Sequence, residues 1–377
     1  MRITFLMPRY PWGPSGGYKV VYEYANRLVS RGHEVTVVHP RRLKYAMLPG
    51  RLTLRNRIRR VKTSLTELTA KPSTNWYAID GRVQLKFVAN SSPEFIPDGD
   101  AVFATSWQTV QSVLRYAPKS GSKFYLVQGY EIWDGHDELV NATWRLSLHK
   151  VVVSKWLLDL GKKLGAHDVE YIPNAIDGRV YRLLKPIETR PLQVAMAFSA
   201  LSIKGAADGI KALAIARSEF PEMKVVLFGK DRLPTWVPGW MKYYRDPPQG
   251  VIVNEIYNGS RVFLSSSWAE GFALPPAEAA SCGCAIVATD SGGIRDYVEN
   301  GLTGLLSPPR SPGLLAANLC LLLGDKNLSE KLAEAGRRSV QGFSWERSAD
   351  LLEALICKVS ARQKNQKEEK ERAVIAD

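Results

Sequence analysis

The sequence predicts an α/β protein made of two doubly wound parallel sheets, one after the other, and three observations predict it. The chain opens with a strand, a Gly- and Pro-rich loop, a helix and a second strand, the opening unit of such a sheet. The strand–helix alternation pauses near residues 175–191 and then starts again. The length, 377 residues, is more than one hydrophobic core usually serves.

In the first round, residues 2–7 read as a buried strand and residues 8–17 as a loop. Residues 18–30 read as a helix, because Val20, Val21, Tyr24, Ala25 and Leu28 fall at helical spacing. Gly32 suits the position just past a helix end, and residues 34–39 form the next strand. Further strands are expected at 83–88, Ala101–Ala104, 123–127, 150–153 and 169–172.

In the second round, strands are expected at 193–198, 224–228, Val262–Ser265 and 285–288. Helices are expected at 204–220, 254–260, 275–281, 296–299, Pro312–Gly324 and 329–340. Pro275 opens its helix in the first turn, where a missing N–H costs nothing. The strongly polar stretch from Ser360 onward reads as a solvated or frayed end. The expected organisation is a first domain over 1–178, a second over 179–345, and a closing helix and polar tail over 346–377.

Composition sets limits. The chain is 45% hydrophobic and 23% charged, ordinary for a soluble globular protein. No stretch reaches the roughly 18 apolar residues of a membrane span. The apolar run from Ile3 to Met7 stops at Pro8, short of the about 7–15 residues of a signal-peptide core. Cys282, Cys284, Cys320 and Cys357 show neither metal-site spacing nor disulfide density, which fits a reducing cytoplasm.

The formal net charge of +14 favours an anionic partner. Arg41, Arg42, Lys44, Arg51, Arg55, Arg57, Arg59, Arg60 and Lys62 follow one another with no acid between them, interleaved with Leu, Ile, Val and Met. Such a segment is either a solvated basic surface or an amphipathic stretch resting on anionic lipid. The second reading, with Arg51, Arg55, Arg57, Arg59 and Arg60 as a membrane patch, places a cytoplasmic protein peripherally at the inner face of the cell membrane.

The segment 265–283, SSSWAEGFALPPAEAASCG, is the most informative. Glu270 and Glu278 straddle a strand-to-helix loop made of Gly271, Phe272, Ala273 and Leu274. Amides at a helix N-terminus bind anions, phosphates above all. A loop carboxylate beside them can orient sugar hydroxyls, and one in the first turn can accept from ribose hydroxyls. Spacing alone equally allows a solvated loop acid and a residue that only favours its helix dipole.

This segment resembles the E-x7-E motif of the retaining glycosyltransferases of family 4. Residues 254–265 are similar to the helix and strand that precede that motif. Cys284 to Thr289, followed by Ser291-Gly292-Gly293-Ile294 and Asp296, looks like its next strand and Gly-Gly turn. Asn300-Gly301-Leu302-Thr303-Gly304-Leu305-Leu306 and Phe343-Ser344-Trp345 resemble later family stretches, and Gly16-Gly17 with Arg31-Gly32-His33-Glu34-Val35 resembles its opening unit. The likeness covers most of the chain and is weakest over 40–120.

The resemblance implies the GT-B fold, two Rossmann-like domains facing across a deep cleft. It also implies a retaining, metal-independent transfer from a nucleotide diphosphate sugar, with no bound cofactor, to a glycan or lipid-linked acceptor in cell-surface polysaccharide or glycolipid assembly. Glu270 then contacts the transferred sugar, Glu278 the ribose, and the amides of Gly271, Phe272, Ala273 and Leu274 the diphosphate. Lys204 matches the phosphate-binding lysine of the family, and Gly16 and Gly17 admit close backbone approach.

Two positions depart from the family pattern. Ser199 stands where relatives carry an arginine. Gln128 and Gly129 stand where relatives often carry a histidine, leaving Gln128, Tyr130, Glu131 and His136 as acceptor candidates. The departures keep a second reading open, a degenerate GT-B protein that binds nucleotide sugar or anionic polymer without efficient transfer.

Two other classes fare worse. An epimerase or dehydrogenase needs G-x-G-x-x-G after the first strand, and Gly13-Pro14-Ser15-Gly16-Gly17 is not that. A nucleic-acid partner has no recognised motif to support it.

Overall fold

The structure is a computed structural model, and it describes residues 1–44, 73–132 and 135–376. The chain divides into two compact units. The first holds 1–153, 157–172 and 345–377, and the second holds 154–156 and 173–344.

The first unit is built on a seven-stranded sheet in the order β3-β2-β1-β4-β5-β6-β7, with every pairing parallel. The strands are β1 (Arg2–Leu6), β2 (Glu34–Arg42), β3 (Gln84–Asn90), β4 (Ala101–Ala104), β5 (Ser122–Val127), β6 (His149–Val152) and β7 (Val169–Tyr171). Strands covered on both faces read as continuous apolar runs, and all four residues of β4 are buried. Phe5, Phe103 and Phe124 stack across β1, β4 and β5, with centroids 4.9 and 4.6 Å apart. Sheet order reverses between β1 and β4, and α1 (Gly16–Ser30) starts beyond β1 at that point.

The helices α2 (Trp107–Leu114), α3 (Asp137–Trp144) and α4 (Lys155–Lys163), absent from the sequence reading, follow β4, β5 and β6. Each is only two or three turns long, so its apolar spacing gives a weak periodic signal.

The second unit is built on a six-stranded parallel sheet in the order β10-β9-β8-β11-β12-β13. Its strands are β8 (Gln193–Ala197), β9 (Lys224–Gly229), β10 (Lys242–Arg245), β11 (Val262–Ser265), β12 (Ala285–Thr289) and β13 (Leu305–Ser307). Met196, Leu227, Leu264 and Val287 from four of these strands meet Leu213, Leu319 and Leu332 from the helices in one core. Its helices are α5 (Ala206–Glu219), α6 (Gln249–Val251), α7 (Leu274–Ser281), α8 (Pro312–Gly324) and α9 (Lys326–Gln341).

The structure revises several expectations. The edge strands β10 and β13 are four and three residues long, and KYYR carries no apolar run to announce a strand. In place of a helix over 254–260, α6 runs on into a π-helical segment, Ile252–Tyr257. The tail is not frayed from Ser360: α10 spans Trp345–Ala376 as one helix. It belongs to the first unit, where Trp345 packs edge-on against Tyr24 at 5.4 Å. Arg31 also meets Asp350 at 2.6 Å and Glu353 at 3.4 Å. The units exchange at 172/173 and 344/345, beside the expected 178/179 and 345/346.

Candidate functional site

In the second unit, the sheet order reverses between β8 and β11, and the loops after these two strands carry Lys204 and Glu270. A 3-10 turn, Ser202–Lys204, ends on Gly205, whose φ of 57° lies in the left-handed region. A Cβ there would stand 2.1 Å from the Ser266 carbonyl oxygen, so the close approach of the two loops requires glycine. The Lys204 ammonium reaches both carboxylate oxygens of Glu270, at 2.7 and 2.9 Å. Their side chains are 35% and 16% exposed, so both remain accessible to a ligand.

The Glu270 loop is held from several sides. Its amide donates to the Ser291 carbonyl at 2.9 Å, and Glu270 bridges to Gly292. The Trp156 indole N–H donates to the Glu270 carbonyl at 2.8 Å and lies 3.2 Å from that of Gly271. Gly293 allows its turn to lie against Gly271, because a Cβ would fall 2.0 Å from the Gly271 oxygen. Phe272 is buried against Tyr297 and Phe343, and the Tyr297 hydroxyl donates to the Ala273 carbonyl at 2.6 Å.

Ala273 has φ 65°, a conformation costly for a residue with a Cβ, and it turns the chain into α7. Among the described residues, no hydrogen bond from the amides of Gly271, Phe272, Ala273 or Leu274 is found. They stand at the positive end of α7, where the helix dipole favours an anion.

Glu278, on α7, is 7% exposed, and its Oε2 accepts from the Tyr257 hydroxyl at 3.1 Å. Burial and the neighbouring Glu278 carboxylate push the Tyr257 hydroxyl well above its ordinary range, so it remains a donor. The Ser199 hydroxyl donates to Asp231 at 3.2 Å, and the Ala200 amide to the same oxygen at 2.7 Å. The position of the family's arginine is thus joined to a carboxylate.

In the first unit, Gly16 and Gly17 are the first residues of α1. The Gln128 amide lies 3.5 Å from the point where a Gly17 Cβ would stand, and its nitrogen is 3.4 Å from the Thr105 carbonyl. These residues gather at the carboxyl ends of β1, β4 and β5. Tyr130 donates to Asn141 on α3 at 2.8 Å. Glu131 is half-buried. His136 precedes α3 with its ring 5.5 Å from Trp107, and its buried Nδ1 has no partner among the described residues. Arg51, Arg55, Arg57, Arg59 and Arg60 lie outside the described residues. Among the described residues, no helix is long and apolar enough to cross a membrane.

The sequence reading missed Trp156, Tyr257, Asp231 and the pair formed by Trp268 and Asp208, in which the indole N–H donates at 2.7 Å. No local signal marks them, because their partners lie between 21 and 114 residues away.

The two units have the fold of GT-B glycosyltransferases. Sucrose-phosphate synthase from Thermosynechococcus elongatus superposes with a TM-score of 0.71 at 14% identity, over 96% of this chain and 100% of that one. HepE from Anabaena, in complex with UDP-glucose, gives 0.70 at 15% identity, over 95% and 100%. Residues 249–339 match the family model described as Glycosyl transferases group 1.

A D-inositol 3-phosphate glycosyltransferase from Geodermatophilus obscurus is 37% identical over 109 residues, 29% of this chain and 24% of that protein. The enzyme of the same description from Rhodococcus erythropolis is 37% identical over 111 residues, 29% and 25%. The matched stretch thus spans about a quarter of these curated relatives.

Proposed function

We propose that the chain transfers a sugar from a nucleotide diphosphate sugar to an acceptor hydroxyl with retention of anomeric configuration. The observation that carries this reading is the two-point contact of Lys204 with Glu270 beside the amides of residues 271–274. A donor whose diphosphate meets Lys204 and those amides brings its sugar to Glu270, while Glu278 accepts from the ribose hydroxyls. HepE with UDP-glucose, and TarM from S. aureus with UDP, support a nucleotide-sugar donor on this fold.

In this mechanism the acceptor oxygen bonds to the anomeric carbon on the face from which the diphosphate departs. The bond from that carbon to the phosphate oxygen breaks, and the acceptor proton passes to the leaving phosphate. Lys204 and the helix amides stabilise the charge that develops there, in place of a divalent cation. Glu270 orients the sugar and makes no covalent bond to it.

A glycan or lipid-linked acceptor and a peripheral place on the inner face of the membrane complete the proposal, supported by the basic stretch that starts at Arg41. The test is nucleotide release by the purified chain across UDP-, GDP- and dTDP-sugars, with and without chelator. Release from one donor, unchanged by chelator, is expected. Silence with every donor, and no thermal shift by any of them, supports the degenerate alternative.

A further inference from the structure

We propose that Trp268 and Asp208 are positioning residues that set the Lys204–Glu270 contact, with Arg310 as their outer support; the inference rests on the transferase reading above and deepens it. Trp268 lies in the loop after β11, just before Glu270. Asp208 stands in the first turn of α5, just after Lys204. Arg310 lies between β13 and α8. All three therefore stand at the carboxyl end of the second sheet, on the side that carries Lys204 and Glu270.

The two loops meet through Trp268. Its main-chain N–H donates to the carbonyl of Ile203, the residue before Lys204, at 2.8 Å. The Ser266 hydroxyl donates to the Lys204 carbonyl at 3.3 Å. Gly205 leaves room for the indole, because a Cβ there would stand 2.9 Å from its nitrogen.

The indole itself is held on two sides. Its N–H donates to the Asp208 carboxylate at 2.7 Å, and a hydrogen bond to an ionised group is among the stronger ones. The Arg310 guanidinium lies 4.3 Å from the ring centroid, in a cation–π stack. Arg310 has φ 60°, a conformation costly for a residue with a Cβ. Glycine adopts it without that cost, so the stack on Trp268 is what an arginine adds here.

A side chain that fixes Trp268 thus fixes the Glu270 loop against the Lys204 loop. A shift of about 1 Å at a reacting centre can cost about 10²-fold in rate. In the proposed mechanism the donor's ribose and diphosphate also meet Glu278 and the amides of residues 271–274. Phe272 and Ala273 are held separately by Tyr297 and Phe343. Loosening Trp268 therefore lowers turnover more than donor affinity.

The test follows nucleotide release from UDP-, GDP- and dTDP-glucose by the full chain. The variants are Asp208→Ala, Asp208→Asn, Trp268→Phe, the double variant Asp208→Ala/Trp268→Phe, and Arg310→Gly, each with its melting temperature. Asp208→Ala and Trp268→Phe are expected to lower kcat about tenfold and to leave the donor KM within about twofold. The double variant is expected to be no slower than Trp268→Phe alone, because both changes remove the same bond. Asp208→Asn keeps an acceptor oxygen and is expected to recover most of the turnover. Arg310→Gly removes the guanidinium and relieves the backbone, so kcat is expected to fall about threefold while the melting temperature holds.

Full turnover in both single variants overturns the proposal. So does an additive loss in the double variant, or a loss of turnover that follows melting temperature across the set, either of which reduces the contact to ordinary packing. Failure of the transferase reading shows separately, as absence of release by the unsubstituted chain, and takes this inference with it.

Discussion

The Lys204 ammonium stands 2.7 and 2.9 Å from the two carboxylate oxygens of Glu270, across 66 residues of sequence. The pair is partly exposed, so its contribution to folding is small. In the proposed mechanism the pair places a cation for the diphosphate directly beside a carboxylate for the sugar. Lys204→Ala is therefore expected to lower turnover by about 10²–10³-fold while moving the melting temperature little. Steady-state kinetics beside a melting curve check this. A large loss of melting temperature with unchanged turnover contradicts it.

Gly205 fixes where Lys204 can stand. Alanine there combines a left-handed backbone with a Cβ 2.1 Å from the Ser266 oxygen. Gly205→Ala is expected to destabilise the protein by about 1–3 kcal/mol and to reduce activity by moving the lysine. Denaturant unfolding together with donor affinity tests it. A neutral outcome in both means that the two loops do not meet as described.

Tyr257 and Glu278 form a buried pair at the proposed ribose position. Tyr257→Phe removes one hydrogen bond and should cost about 1 kcal/mol of stability. It should weaken donor binding less than Glu278→Ala, which removes the ribose acceptor itself. Donor titration of the two variants gives the order, and the reverse order argues against Glu278 as the ribose contact.

His39 predicts an acid limb of stability. Burial lowers its folded pKa to about 4 from the ordinary 6.5. Between these values the unfolded chain binds the proton and the folded chain does not. Stability therefore falls as pH drops from about 6.5 towards 4, with the loss complete below 4 and of the order of 3 kcal/mol. His39→Gln is expected to flatten this limb in urea midpoints taken between pH 7 and 4.5. An unchanged limb shows that carboxylates elsewhere dominate it.

Most of the strand positions were legible, because parallel strands covered on both faces are runs such as AVFA and AIVAT. The strands β10 and β13 were not, since four and three residues are too few to give a periodic signal. Lys204 was singled out only through the family resemblance, whereas the strand-to-helix loop between Glu270 and Glu278 was legible in the local sequence. Asp231 against Ser199, and Trp156 under the Glu270 loop, were not, because only the folded sheet brings them together. The frayed end expected from Ser360 is instead helical backbone, because Lys, Glu, Gln and Arg are good helix formers as well as polar residues.

The most direct test of the central claim is nucleotide release from a panel of UDP-, GDP- and dTDP-sugars by the unsubstituted chain, Lys204→Ala and Glu270→Ala. The account predicts release from one donor, lost in both variants while their melting temperatures hold. Release that survives in both variants places the chemistry away from this pair and contradicts the account.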